Sequence, residues 1–122
     1  MNFGAVDREL SSKEQMELAA LVAQSTGDEI AIFSLNDNGE SGRFARSLQA
    51  ALHDAGLNAP AVEPRFIYRD TPNKPIEIFA PAGADKFLDA LLRYLAGKGK
   101  VKAPLAVGIA TDQRISIWIA PR

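Results

Sequence analysis

At 122 residues, 47% of them apolar, the chain suits one α/β-sized domain with a genuine core and leaves little room for a second. Fourteen basic and fifteen acidic side chains leave a formal charge of −1, so no global field draws it to nucleic acid or anionic lipid, and nucleic-acid binding is disfavoured. The lack of cysteine excludes disulfides, thiolate catalysis and thiolate metal sites, while cytoplasmic and membrane-associated settings both stay open.

No apolar run reaches the roughly 20 residues of a membrane helix, and Asp7, Arg8 and Glu9 stand where a signal peptide would need an apolar core. Met1 to Val6 reads as a native start or as what remains after an N-terminal anchor was removed; only the second case gives the protein a membrane. Residues 1–10 are expected to be a flexible lead-in or to mark a cut. Next, Ser11 with Glu14, or Ser12 with Gln15, offers a capping box in which side chains satisfy the orphan amides of a first helical turn. A helix should begin there, bury Leu18, Leu21 and Val22, and stop at Gly27.

Ile30 to Leu35 is apolar at odd and even positions alike, as in a central strand covered on both faces. The polar cluster Asn36 to Gly42 ends it and opens a helix that Gly56 closes. Phe66 to Tyr68 is expected to be a second strand, placed at an edge because Pro60 and Pro64 remove amide donors. The turn Asp70 to Pro75 is too short for a crossover helix, so the strand Ile76 to Ala80 is expected to pair antiparallel to the one before it. A third helix over about Asp85 to Ala96 carries Phe87, Leu88, Leu91, Leu92 and Leu95. Leu105 to Ala110 and Ile115 to Ala120 then flank a connection of hairpin length.

Two segments repeat one pattern. Ile30 to Ser34 precedes Phe44, Leu48, Leu52 and Gly56, and Ile76 to Ala80 precedes Phe87, Leu91, Leu95 and Gly97, with identical spacing of the three helical anchors. The pattern predicts two strand–helix units, each burying one helical stripe against its own strand.

Arg8, Glu9, Leu10, Ser11, Glu14 and Gln15, followed by a glycine and a strand and then by Phe44, Ala45, Leu48, Ala51, Leu52, Ala55 and Gly56, resemble the soluble C-terminal domains of small bacterial proteins of unknown function that carry N-terminal membrane helices. The resemblance covers residues 8–57 and the final strand and rests on core and cap positions. It implies an envelope-associated, non-catalytic domain and assigns no functional residue. This chain carries no such membrane helix, and its second half departs in loop detail.

Signals for chemistry are sparse. The loop Asn36 to Gly42 lies where open α/β sheets bind ligands, beyond a strand's carboxyl end at a helix N-terminus. Asn36, Asp37, Asn38, Glu40 and Ser41 are therefore the candidate ligand-binding set. Against it, the spacing fits no phosphate-loop pattern, Asp37 and Glu40 would repel an anion, and the twelve-position calcium loop is missing, so a plain turn and cap explains the same residues. His53 is the sole histidine and reads as a surface residue near a helix C-terminus. No serine elbow accompanies it. Arg93, Lys98, Lys100 and Lys102 form the one basic cluster, at a helix end where cations are ordinary. Trp118 alternates with Ile115, Ile117 and Ile119, and an exposed tryptophan on a terminal strand would mark a surface for a second copy or a protein partner. Trp118, Ile115 and Ile117 are thus the candidate interface, through the C-terminal hairpin.

The expected fold is α/β: about five strands in a mixed sheet with helices on both faces, the N-terminal helix opposite one of the others. The alternative is a ferredoxin-like βαββαβ arrangement with both repeat helices on one face and an added strand. The expected function is a non-enzymatic binding or protein-interaction domain without cofactor or metal. The alternative function is a small-ligand or catalytic domain using the loop 36–42.

Overall fold

A computed structural model describes residues 8–35, 39–65, 76–101, 106–109 and 113–120. The elements in chain order are α1 (Ser12–Val22), β1 (Ile30–Leu35), α2 (Gly39–Asp54), β2 (Val62–Arg65), β3 (Ile76–Ala80), α3 (Asp85–Gly97), β4 (Ala106–Ile109) and β5 (Ile115–Ile119). They form a mixed α/β fold of three helices and an open mixed sheet.

Local chemistry sets the helix boundaries. Ser11 accepts from the Glu14 amide at 3.1 Å while the Glu14 carboxylate accepts from the Ser11 amide at 2.9 Å, closing the capping box that starts α1. The far end comes earlier than the glycine at 27 suggested, because Gln24 takes the left-handed backbone (φ 61°) and turns the chain after Val22. Gly56, at φ 83°, supplies the same turn after α2 at no steric cost.

The strands hydrogen-bond in the order β2-β1-β5-β3-β4. β1 runs parallel to β2 and to β5, β3 runs parallel to β4, and β3 meets β5 antiparallel. Two expectations fail here. β4 and β5 make no hairpin, since β3 lies between them and β5 is inserted beside β1. Nor does β3 pair with β2, which stands two strands away behind β1 and β5. A short connection limits how far apart two strands can lie, but does not oblige them to pair. The expected strand at 66–68 lies outside the described residues; β2 occupies 62–65 instead, and its edge position explains how it tolerates Pro64.

The helices do not sit on both faces. Leu18 and Val22 of α1, Phe44, Leu48 and Leu52 of α2, and Phe87, Leu91 and Leu95 of α3 join one apolar cluster with Ile30, Ile32, Ile76, Ile78, Ile115, Ile117 and Ile119. Because side chains alternate along a strand, those sheet residues all belong to one face. α1 packs against α2 and α3 within that same layer rather than opposite them. Leu88 and Leu92 stay half-buried at its margin, so α3 buries three anchors and not five. One-sided helices fit the ferredoxin-like alternative, but its strand order does not, since there a strand separates the two that β1 and β2 represent.

Candidate interaction surface

The other face of the sheet carries no helix among the described residues, and its side chains run in two rows across the strands. Register places Glu63, Phe33, Trp118 and Glu77 in one row, and Ala31, Ser116, Phe79 and Gly108 in the next. Phe33 and Trp118 stack at 4.2 Å between ring centroids with planes 18° apart. This offset-stacked geometry is the favoured one for aromatic pairs and contributes beyond the area buried. Arg114 adds its guanidinium over the Phe33 ring at 5.9 Å. These contacts contribute to the burial of Phe33 and help explain why β1 reads as two-sided in sequence, since among the described residues no helix lies on this face.

Phe79 is 38% exposed on this face. Its ring lies over Gly108, close enough that a Cβ there would come within 2.8 Å of ring carbon Cδ1. The glycine thus lets an aromatic ring cover strand backbone that would otherwise face solvent. Trp118 is half-buried. Of the residues expected to form an interface, only Trp118 is on this surface; Ile115 and Ile117 point the opposite way into the core under the helices. Phe79, which the sequence analysis did not single out, is also on this surface. Its alternation with Ile78 and Ala80 was the available signal, obscured because all three are apolar.

The candidate ligand loop resolves differently. Asn36, Asp37 and Asn38 lie outside the described residues. Glu40 is committed: Arg8 donates to its carboxylate from the backbone amide at 2.8 Å, from Nε at 3.0 and 3.2 Å, and from Nη2 at 2.7 Å. The same Nη2 donates to the Ala120 carbonyl at 2.8 Å, and the guanidinium lies 5.0 Å over the Phe44 ring. Ser41 beside it is fully buried. Glu40 and the Ala120 carbonyl, near the carboxyl ends of β1 and β5, are thus both engaged by the chain's own Arg8. Residues 8–10 are no flexible lead-in either. Arg8 and Leu10 are buried, and the Leu10 amide donates to Ser47 Oγ at 3.0 Å.

The basic cluster is paired: Lys98 Nζ lies 3.4 Å from Glu17, Lys100 Nζ 3.4 Å from Glu14, and Arg93 Nε 2.8 Å from Asp89, with Lys102 outside the described residues. Tyr94 donates to Glu17 at 2.6 Å, which couples α3 to α1. Burial, then the Glu17 carboxylate, pushes the Tyr94 hydroxyl well above its ordinary value, and the Tyr94 hydrogen bond lowers Glu17. His53 is exposed. Ser34 Oγ, on the core face, is buried without a hydrogen-bond partner among the described residues.

Among the described residues no helix is long and apolar enough to cross a membrane. Comparison with protein-family models, with curated proteins and with solved structures returns no match for this chain.

Proposed function

We propose that this chain is a non-enzymatic protein-interaction domain whose binding surface is the helix-free sheet face around Phe79 and Trp118. One observation carries the reading: an aromatic ridge, with Phe79 38% exposed, stands on a layer that no helix covers among the described residues. Exposed aromatic area of this kind is what interface centres are made of. The surface replaces the C-terminal hairpin as the site for a protein partner or a second copy.

The finer architecture we infer with it is a sheet of about five strands built on two equivalent strand–helix units, β1–α2 and β3–α3. Equal burial of Phe44, Leu48 and Leu52 and of Phe87, Leu91 and Leu95 supports that equivalence. The resemblance of residues 8–57 to soluble domains of membrane-anchored bacterial proteins extends the proposal to a domain held at an envelope.

The test is site-specific photo-crosslinking in the producing cell. A photoreactive residue in place of Phe79 should give a discrete adduct, whose mass separates a second copy from another protein, and one in place of exposed His53 should not. No adduct at position 79, or the same adducts from both positions, overturns the proposal.

A further inference from the structure

We infer that the sheet surface beside Trp118 and Glu77 is a seat for an arginine side chain of a protein partner. The inference rests on the interaction reading of this face and adds the chemistry of what binds there.

Trp118 stands between two different neighbours in its row. On the β1 side its ring is taken by Phe33 at 4.2 Å; on the β3 side, directly opposite in register, comes Glu77. Directly opposed side chains in an antiparallel pair have Cβ atoms about 4.5–5.5 Å apart, so Glu77 and Trp118 are immediate cross-strand neighbours. Glu77 is half-buried and has neither hydrogen bond nor ion pair among the described residues. Two residues along the same face, Phe79 leans away over Gly108 and supplies an exposed ring. A half-buried carboxylate next to an aromatic stack, with no cationic partner among the described residues, is an incomplete arrangement.

A guanidinium completes it. It can lie flat on an aromatic face while its edge N–H groups reach a carboxylate, a combination that a compact ammonium matches less well. The same platform already holds one guanidinium, since Arg114 sits over Phe33 at 5.9 Å. Anionic partners are disfavoured, because Glu77 stands directly beside Trp118 in the row. A phosphate-bearing ligand stacked there would meet its carboxylate.

Trp118 is the only tryptophan and so reports on its own site. Titrate the full chain with a capped peptide containing three arginines and with the same peptide carrying citrulline in their place, following Trp118 emission and the Gly108 amide resonance. Expected is a saturable response to the arginine peptide, about tenfold weaker binding of the citrulline peptide, and about fivefold weaker binding of the arginine peptide by Glu77→Gln. Asp54→Asn, which removes an equal charge from an exposed position on α2 in the helix layer, should leave binding unchanged. Equal affinity for the two peptides, no effect of Glu77→Gln, an equal effect of Asp54→Asn, or no saturable response each overturns the inference. Adducts at position 79 together with any of these results leave the interaction surface standing and remove its arginine chemistry; no adducts and no response remove both.

Discussion

Arg8 and Glu40 form a buried bidentate ion pair, 2.7 Å between Nη2 and Oε1, that ties the N-terminal segment to the first turn of α2 and, through the Ala120 carbonyl, to the end of β5. A carboxylate in the first turn of a helix also meets the positive end of the helix dipole. The pair fastens three separate parts of the chain at one point.

Breaking that point from one side leaves a buried charge without its partner. Arg8→Ala is therefore expected to cost about 3–5 kcal/mol, a large share of the roughly 5–15 kcal/mol available to a domain. Arg8→Met combined with Glu40→Leu should recover most of the loss, because an apolar pair of similar volume needs no solvation. Urea unfolding of the two variants checks this; a single variant as stable as wild type would show the pair to be solvated.

Leu48 and Leu91 are both 0% exposed, each in the middle of its helix's stripe. Leu48→Ala and Leu91→Ala should each cost about 2–5 kcal/mol and lower Tm visibly. Leu91 should be the costlier, since Leu88, Leu92 and Leu95 leave its site less room to collapse. If Leu48→Ala melted within a degree or so of wild type, the equivalence of the two strand–helix units would fail.

Gly108 and Phe79 should be energetically coupled. Gly108→Ala places a methyl group inside the Phe79 ring's contact distance and is expected to destabilise by about 1–3 kcal/mol. In a Phe79→Ala background the same change should become neutral or slightly stabilising, because Ala loses less entropy than Gly in a strand. A double-mutant cycle with no coupling would place the ring elsewhere.

The Tyr94–Glu17 hydrogen bond predicts opposite behaviour at the two ends of the pH scale. Tyr94 is raised above its ordinary 10.0, so the native state holds a proton that the unfolded state releases first. Its contribution is complete below about pH 10 and shrinks as pH rises beyond it. Glu17 and Glu14 are lowered from their ordinary 4.5, Glu17 chiefly by the Tyr94 hydroxyl and Glu14 chiefly by the Ser11 amide. Their contributions are present above that value and fade as pH falls below it. Phenolate absorbance during alkaline titration should show one of the two tyrosines ionising late, and Tyr94→Phe should abolish that late step.

What the sequence could convey follows from the range of each signal. The Ser11–Glu14 cap and the helical stripes are local, and periodicity displays them directly. Strand order is not local. Alternation in Ile115 to Ile119 tells which side chains share a face, but nothing in it distinguishes a hairpin with β4 from insertion between β1 and β3. Glu40 looked like a ligand because its partner stands 32 residues away in a stretch with no periodic pattern. Two-sided apolarity in β1 was misassigned for a physical reason: Phe33 stacks on a ring of the neighbouring strand, so its apolar character does not require a helix over it.

The place of β5 has a consequence for how the protein is made. The last strand in chain order fills the middle of the sheet, so during synthesis β1 and β3 emerge long before the strand that joins them. Until then each offers an unfilled row of backbone donors and acceptors, the arrangement most prone to pairing with another nascent chain. Closure over so long a stretch of chain is also slow. Yield in the cell should therefore depend on translation speed and on chaperone supply until β5 has emerged more than on the stability of the finished fold.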